Sequence, residues 1–132
     1  MRFRPAYLSC PALLAALLAL VLATAETLAH HPGSHAERLR DGRVRLEAAA
    51  VVPDACTTIE AIERGAPPTA QPPPGAEPVT VRLGRPEGAS CAAVITAARR
   101  ETTLAIPAGA KVLHLFIVGP DGLRATERVP IR

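Results

Sequence analysis

Aromatic side chains are almost missing from this chain. Its 132 residues include no tryptophan, one tyrosine and two phenylalanines. Phe3 and Tyr7 sit within the first ten positions, so Phe116 is the single aromatic left to a folded body. That excludes a stacking platform for single-stranded nucleic acid. A one-signed charge is missing as well. The 15 basic residues, nearly all arginine, are interspersed with 12 acids for a net charge of +3, which is no footprint for a nucleic-acid backbone. Beyond Ser9, serine occurs only at Ser34 and Ser90. Ser34 falls in a polar leader that holds no rigid base, and Ser90 adjoins Cys91, so a hydrolytic triad has no credible nucleophile. A glycine-rich phosphate loop and a His-Glu-x-x-His motif are also absent. Asp41, Asp54 and Asp121 stand at turns, and Glu60 and Glu63 read as a solvated face. These absences predict a protein that is not an enzyme.

The longest apolar run is also short. Ala12 to Ala25 carries no charge and follows Arg2 and Arg4, but it falls below the roughly 20 residues that span a bilayer. Positive start, short apolar run and small-residue cut sites make residues 1–29 a cleavable signal peptide. Ala23-Thr24-Ala25 has the better cleavage form; Thr27-Leu28-Ala29 would leave His30 at the new amino terminus. Cys10 precedes the apolar run and does not suit lipid attachment. Cleavage leaves 107 or 103 residues (132 less 25 or 29), enough for one small domain. Without Arg2 and Arg4, 13 basic residues face 12 acids, or 11 if Glu26 also leaves, so the net charge is +1 or +2. The expected location is periplasmic or secreted, with no membrane attachment after cleavage.

Two of the three cysteines then remain, Cys56 and Cys91. No Cys-x-x-Cys motif is present, and an exported pair is expected to form one disulfide.

Residues 30–42 are polar and broken by Pro32-Gly33, which predicts a flexible, histidine-containing leader. From Arg43, β-strand signals recur. Val44, Leu46, Ala48 and Ala50 alternate with more polar neighbours up to Pro53-Asp54. Residues 56–64 are ambiguous. Thr57 and Glu60 suit a capping box and Gly65 a helix stop, but the β-branched content and flanking strands favour a strand. Residues 66–78 hold six prolines in 13 positions, which predicts a projecting polyproline-type loop, usable as a docking segment for a partner's aromatic groove. Further strands are expected at 79–83, 91–98, 101–106, 111–118 and 123–131, with Gly119-Pro-Asp-Gly122 as a turn. In the 111–118 strand, Leu113, Leu115 and Ile117 make one apolar face. Val112, His114, Phe116 and Val118 make the other, which suits a strand covered on both sides. His114 reads as a neutral, hydrogen-bonded or half-exposed histidine. About seven short strands with one cystine make residues 43–132 an all-β, antiparallel β-sandwich. Its architecture resembles an immunoglobulin-like domain, although the buried tryptophan of those domains is absent.

The best functional lead is the cluster His30, His31 and His35. Imidazole ligates Zn(II) and Cu(II), and three occur within six residues. If cleavage falls before His30, its free amine and imidazole can chelate one copper ion together. That resembles the amino-terminal histidine copper sites of some exported β-sandwich proteins. The expected function is therefore non-catalytic binding, of copper or zinc at His30, His31 and His35. The alternative is an interaction or structural module that meets a periplasmic protein partner through a sheet face or the proline loop.

Overall fold

The computed structural model describes residues 33–132, so the signal-peptide reading, His30 and His31 lie outside the described residues. The described residues form seven strands and no helix: β1 (His35–Arg38), β2 (Val44–Val52), β3 (Thr58–Arg64), β4 (Glu77–Gly84), β5 (Thr96–Leu104), β6 (Val112–Gly119) and β7 (Gly122–Pro130). They build two sheets, one of three strands in the order β1-β2-β5 and one of four in the order β3-β4-β6-β7.

The alternation in β2 buries Val44, Leu46, Ala48, Ala50 and Val52 against Val79, Val81 and Leu83 of β4 and Leu113, Leu115 and Ile117 of β6. Each fully buried aliphatic side chain contributes about 1.5–3 kcal/mol relative to exposure. With one aromatic in the fold, the core depends on these branched side chains.

The ambiguous stretch 56–64 settles as strand from Thr58 to Arg64, since β3 pairs antiparallel with β4, while Cys56 and Thr57 belong to the turn before it. Three expectations change. First, β1 lies within the segment read as a leader. Its backbone pairs with β2 from His35↔Glu47 to Arg38↔Val44, so the sandwich begins well before residue 43. Second, the two strands expected at 91–98 and 101–106 are one. Residues 91–95 are loop, and β5 runs unbroken beside the nine residues of β2. Third, not every neighbouring pair is antiparallel. β4 and β6 are parallel, because the chain leaves β4 for the other sheet, forms β5 there, and returns beside β4.

The two open sides of the sandwich are closed differently. On one side the end of the chain runs beside β1: the Arg38 N–H donates to the Arg132 carbonyl (2.8 Å) and the Arg132 N–H to the Ala36 carbonyl (3.1 Å). On the other, Arg100 projects from the inner face of β5 and donates to the carbonyls of Ile59 (3.1 Å) and Glu60, where β3 has a bulge.

The ends are fastened by side chains as well. The Arg38 guanidinium donates to four carbonyls, those of Gly42 (2.8 Å), Ile106 (3.2 Å), Pro107 (3.0 Å) and Ala110 (2.9 Å), joining the β1–β2 turn to the β5–β6 loop. At the opposite end the disulfide Cys56–Cys91 links two of the three connections that cross between sheets, β2 to β3 and β4 to β5. Its Cα atoms are 5.7 Å apart and it closes a separation of 35 residues, worth about 3–4 kcal/mol in the chain-entropy view.

The proline-rich segment does not simply project. The Gly65 N–H donates to the Pro78 carbonyl (2.9 Å), and the Thr80 hydroxyl donates to the Gly65 carbonyl (2.8 Å). Pro67, Pro68 and Thr69 share a shallow cleft with Thr80, Arg82 and Val118. The loop thus turns back over the outer face of the four-stranded sheet.

Candidate functional site

Of the three histidines read as ligands, the structure describes His35. It opens β1 and is exposed, on backbone paired to β2. Just before it the chain is pinned. Ser34 is buried; its hydroxyl donates to Glu127 of β7 (2.7 Å) and accepts the Ala49 N–H (3.0 Å), while its own N–H donates to the other Glu127 oxygen (2.9 Å). The sequence reading left Ser34 without a base. Here a carboxylate accepts a hydrogen bond from its hydroxyl, but burial and full use of the hydroxyl make this a structural latch and no nucleophile. The latch fixes where His35 emerges.

Strand pairing then sets the surroundings of His35. It stands opposite Glu47, which stands opposite Glu101 on β5. Directly opposed residues share a face, so one imidazole and two carboxylates form a row across three strands, on the face turned away from the core. The next row is Glu37, Arg45 and Thr103. Arg45 pairs with Glu37, and Arg99 reaches one oxygen of Glu47 at 2.5 Å. Among the described residues, His35 and Glu101 make no side-chain hydrogen bond or ion pair. His35, Glu37, Arg45, Glu47 and Glu101 together line a concavity beside β1. The sequence missed Glu47 and Glu101 because they are 12 and 66 positions from His35; only the register joins them.

A second group contains metal-ligating atom types: the Asp54 carboxylate and the sulfurs of Cys56 and Cys91 lie within 4.8 Å of one another. The sulfurs are bonded to each other at 2.02 Å, so neither is a thiolate, the form that ligates metal. Asp54 is also engaged. Oδ1 accepts the N–H groups of Cys56 (2.9 Å) and Thr57 (2.8 Å), and both oxygens accept the Thr57 hydroxyl at 3.0 Å. Burial pushes the Asp54 carboxyl up, but those backbone and hydroxyl donors, with Arg85 at 3.9 Å, outweigh it and hold it below the usual carboxylate range. The group braces the loop around the disulfide.

His114 lies half-buried on the outer face of β6, with Nδ1 buried and without a hydrogen-bond partner among the described residues. Its ring meets Phe116 edge-on, centroids 4.7 Å apart. Phe116 is buried, so this second apolar face of β6 is largely covered. Glu60 and Glu63 are exposed, and Glu63 pairs with Arg82 at 3.2 Å.

Apolar exposure concentrates near the disulfide end. Val51, Val94 and Ile95 are 50%, 55% and 76% exposed. Val51 is paired with Ala97 on β5, the strand next after Ile95. No family model, curated protein or solved structure matches the chain.

Proposed function

We propose that this chain is an exported, non-catalytic β-sandwich binding protein that takes Cu(II) or Zn(II) through the histidines of its amino-terminal end, His30, His31 and His35. The observation that carries the reading is His35, an exposed imidazole whose backbone is paired to β2 and whose neighbours on the sheet are carboxylates. A fixed imidazole lowers the ordering cost of a site completed from a nearby segment. Export is supported by the apolar run after Arg2 and Arg4 and by the disulfide. Among the described residues no helix is long and apolar enough to cross a membrane. The immunoglobulin likeness extends to the two-sheet layout and the order β1-β2-β5, which corresponds to strands A, B and E. In the other sheet β4 stands between β3 and β6, where an immunoglobulin domain sets C beside F.

Calorimetric titration of the processed protein with each metal tests the reading. His30→Ala, His31→Ala and His35→Ala are each expected to weaken binding. Lengthening the chain by one residue before His30 weakens Cu(II) if the free amine is a ligand. Affinity falls as pH drops through the histidine range near ~6.5, since the ligands must be deprotonated. Substitution is the right perturbation, because deleting residues 30–35 would remove the Ser34 latch. Unchanged affinity in all three variants refutes the reading.

A second reading, docking of a protein partner, is favoured by the exposed Val51, Val94 and Ile95 beside β5, an edge strand exposed over much of its length. An Ile95→Asp variant that still captures every protein bound by the wild type would refute that surface.

A further inference from the structure

The docking reading leaves the chemistry of the partner open, and the edge strand supplies it. We propose that the partner at β5 is a second copy of this chain, joined by antiparallel β5–β5 pairing about a two-fold axis at Arg100, so that two three-stranded sheets become one. The inference rests on the docking reading of the β5 edge and is independent of the metal.

Two observations carry it, an open edge and a self-complementary charge pattern. β5 is an outer strand of its sheet and is nine residues long. It has no proline, no glycine and no bulge in its pairing with β2, and such features are what usually blunt an edge. Among the described residues its backbone bonds to no strand but β2. Other edges are guarded: Arg132 runs beside β1, β3 has a bulge, and β7 ends at Pro130. Arg100 fills the gap between the sheets and leaves the in-plane edge of β5 open.

On the outer face β5 carries Arg99 and Glu101, two positions apart. Glu101 stands opposite Glu47, while the Arg99 guanidinium goes to Glu47. Among the described residues no cation pairs with Glu101. In a two-fold antiparallel pair, residue i of one copy opposes j of the other and j opposes i, and opposed residues share a face. An axis at Arg100 therefore sets Arg99 opposite Glu101 of the second copy, twice. Moving the axis by one residue, the smallest shift that keeps the faces matched, sets Arg99 against Arg99 or Glu101 against Glu101. Opposed unlike charges stabilise a strand pair and like charges weaken it, so charge selects one register. The same register, continued by one residue, brings the exposed Ile95 opposite the exposed Ala105. Arg100 opposes itself on the inner face, but its guanidinium is drawn to the β3 carbonyls of its own chain.

The test is sedimentation equilibrium of the full processed chain for wild type, Arg99→Glu, Glu101→Arg, the double swap Arg99→Glu/Glu101→Arg, and Arg128→Glu. Arg128 is exposed on β7, an edge of the other sheet, and serves as the control. Circular dichroism checks that each variant folds. The wild type is expected to form a reversible dimer that added salt weakens. Each single variant should raise the dimer Kd by about tenfold or more, since two pairs turn from unlike to like charge. The double swap should restore association, and Arg128→Glu should leave it unchanged. Hydrogen exchange of the wild type needs no variant: β5 amides should exchange more slowly at high protein concentration than at low, and equal rates overturn the inference. A wild type that stays monomeric up to its solubility limit also overturns it, and leaves docking of a different protein to the Ile95→Asp test. A dimer indifferent to both single variants, or a double swap as weak as the singles, overturns the pairing about Arg100.

Discussion

Replacing Arg38 by alanine takes one guanidinium away from four carbonyl oxygens at once. Two of those bonds, to Ile106 and Ala110, are partly buried, and two, to Gly42 and Pro107, are exposed. A hydrogen bond to a charged group contributes about 1.5–3 kcal/mol net where water is excluded. Exposed ones contribute much less, because water replaces the lost donor. The two partly buried bonds, discounted because water still reaches part of the site, give an expected loss of about 2–4 kcal/mol for Arg38→Ala, a large share of a typical 5–15 kcal/mol domain stability. For a domain of this size the melting temperature should fall by about 10–20 °C. Arg38→Lys should recover little, since an ammonium lacks the planar fork that reaches two loops together. Urea unfolding followed by far-ultraviolet circular dichroism reads the change; the chain has no tryptophan to report by fluorescence. A stability loss under about 0.5 kcal/mol, the size of an ordinary surface substitution, would refute the view that this side chain holds the two loops together.

Ser34→Ala should cost about 1–3 kcal/mol, because it leaves the Ala49 N–H and a Glu127 oxygen without their partner; denaturant unfolding measures it, and a neutral result would contradict the latch. Replacing both Cys56 and Cys91 by alanine should cost about 3–4 kcal/mol. It should also speed amide exchange in residues 53–57 and 85–95 before the β-strands respond, whereas uniform loosening would argue against local bracing. Acid unfolding should begin with the Asp54 loop. Its carboxyl is held low when folded, despite burial, by the Cys56 and Thr57 donors, and the Asp41 carboxyl is held low by the Arg43 side chain. Such groups contribute stability that is present above the unfolded value, near pH 4, and is lost as pH falls through the lower folded one. Asp54→Asn should flatten the pH dependence of stability in that window, and an unchanged slope would show that Asp54 is not its source.

What was legible in the sequence followed from side-chain alternation. β2 and β6 each present aliphatic residues at every second position, and both elements stand close to where that pattern puts them. β1 escaped because four residues carry a single buried apolar side chain, Ala36, and its other support comes from Arg132 and Arg38, distant or off-pattern partners. β5 escaped as one strand because its inward positions are Ala98, Arg100, Thr102 and Leu104. An edge position tolerates an arginine that satisfies carbonyls across the sandwich. The parallel β4–β6 pair has no local signal, since it depends on where β5 is placed. The candidate site divides the same way. The histidine cluster is local in sequence, whereas Glu47 and Glu101 join His35 only through register.

If the proposed site is right, imidazole from the amino-terminal end ligates the metal. Electron paramagnetic resonance of the processed protein carrying one equivalent of Cu(II) tests it most directly. Nitrogen superhyperfine structure is expected, and it should be lost or cut down to what an amine alone gives when His30, His31 and His35 are all replaced by alanine. A spectrum of oxygen ligands only, or one unaltered in the triple variant, would contradict it.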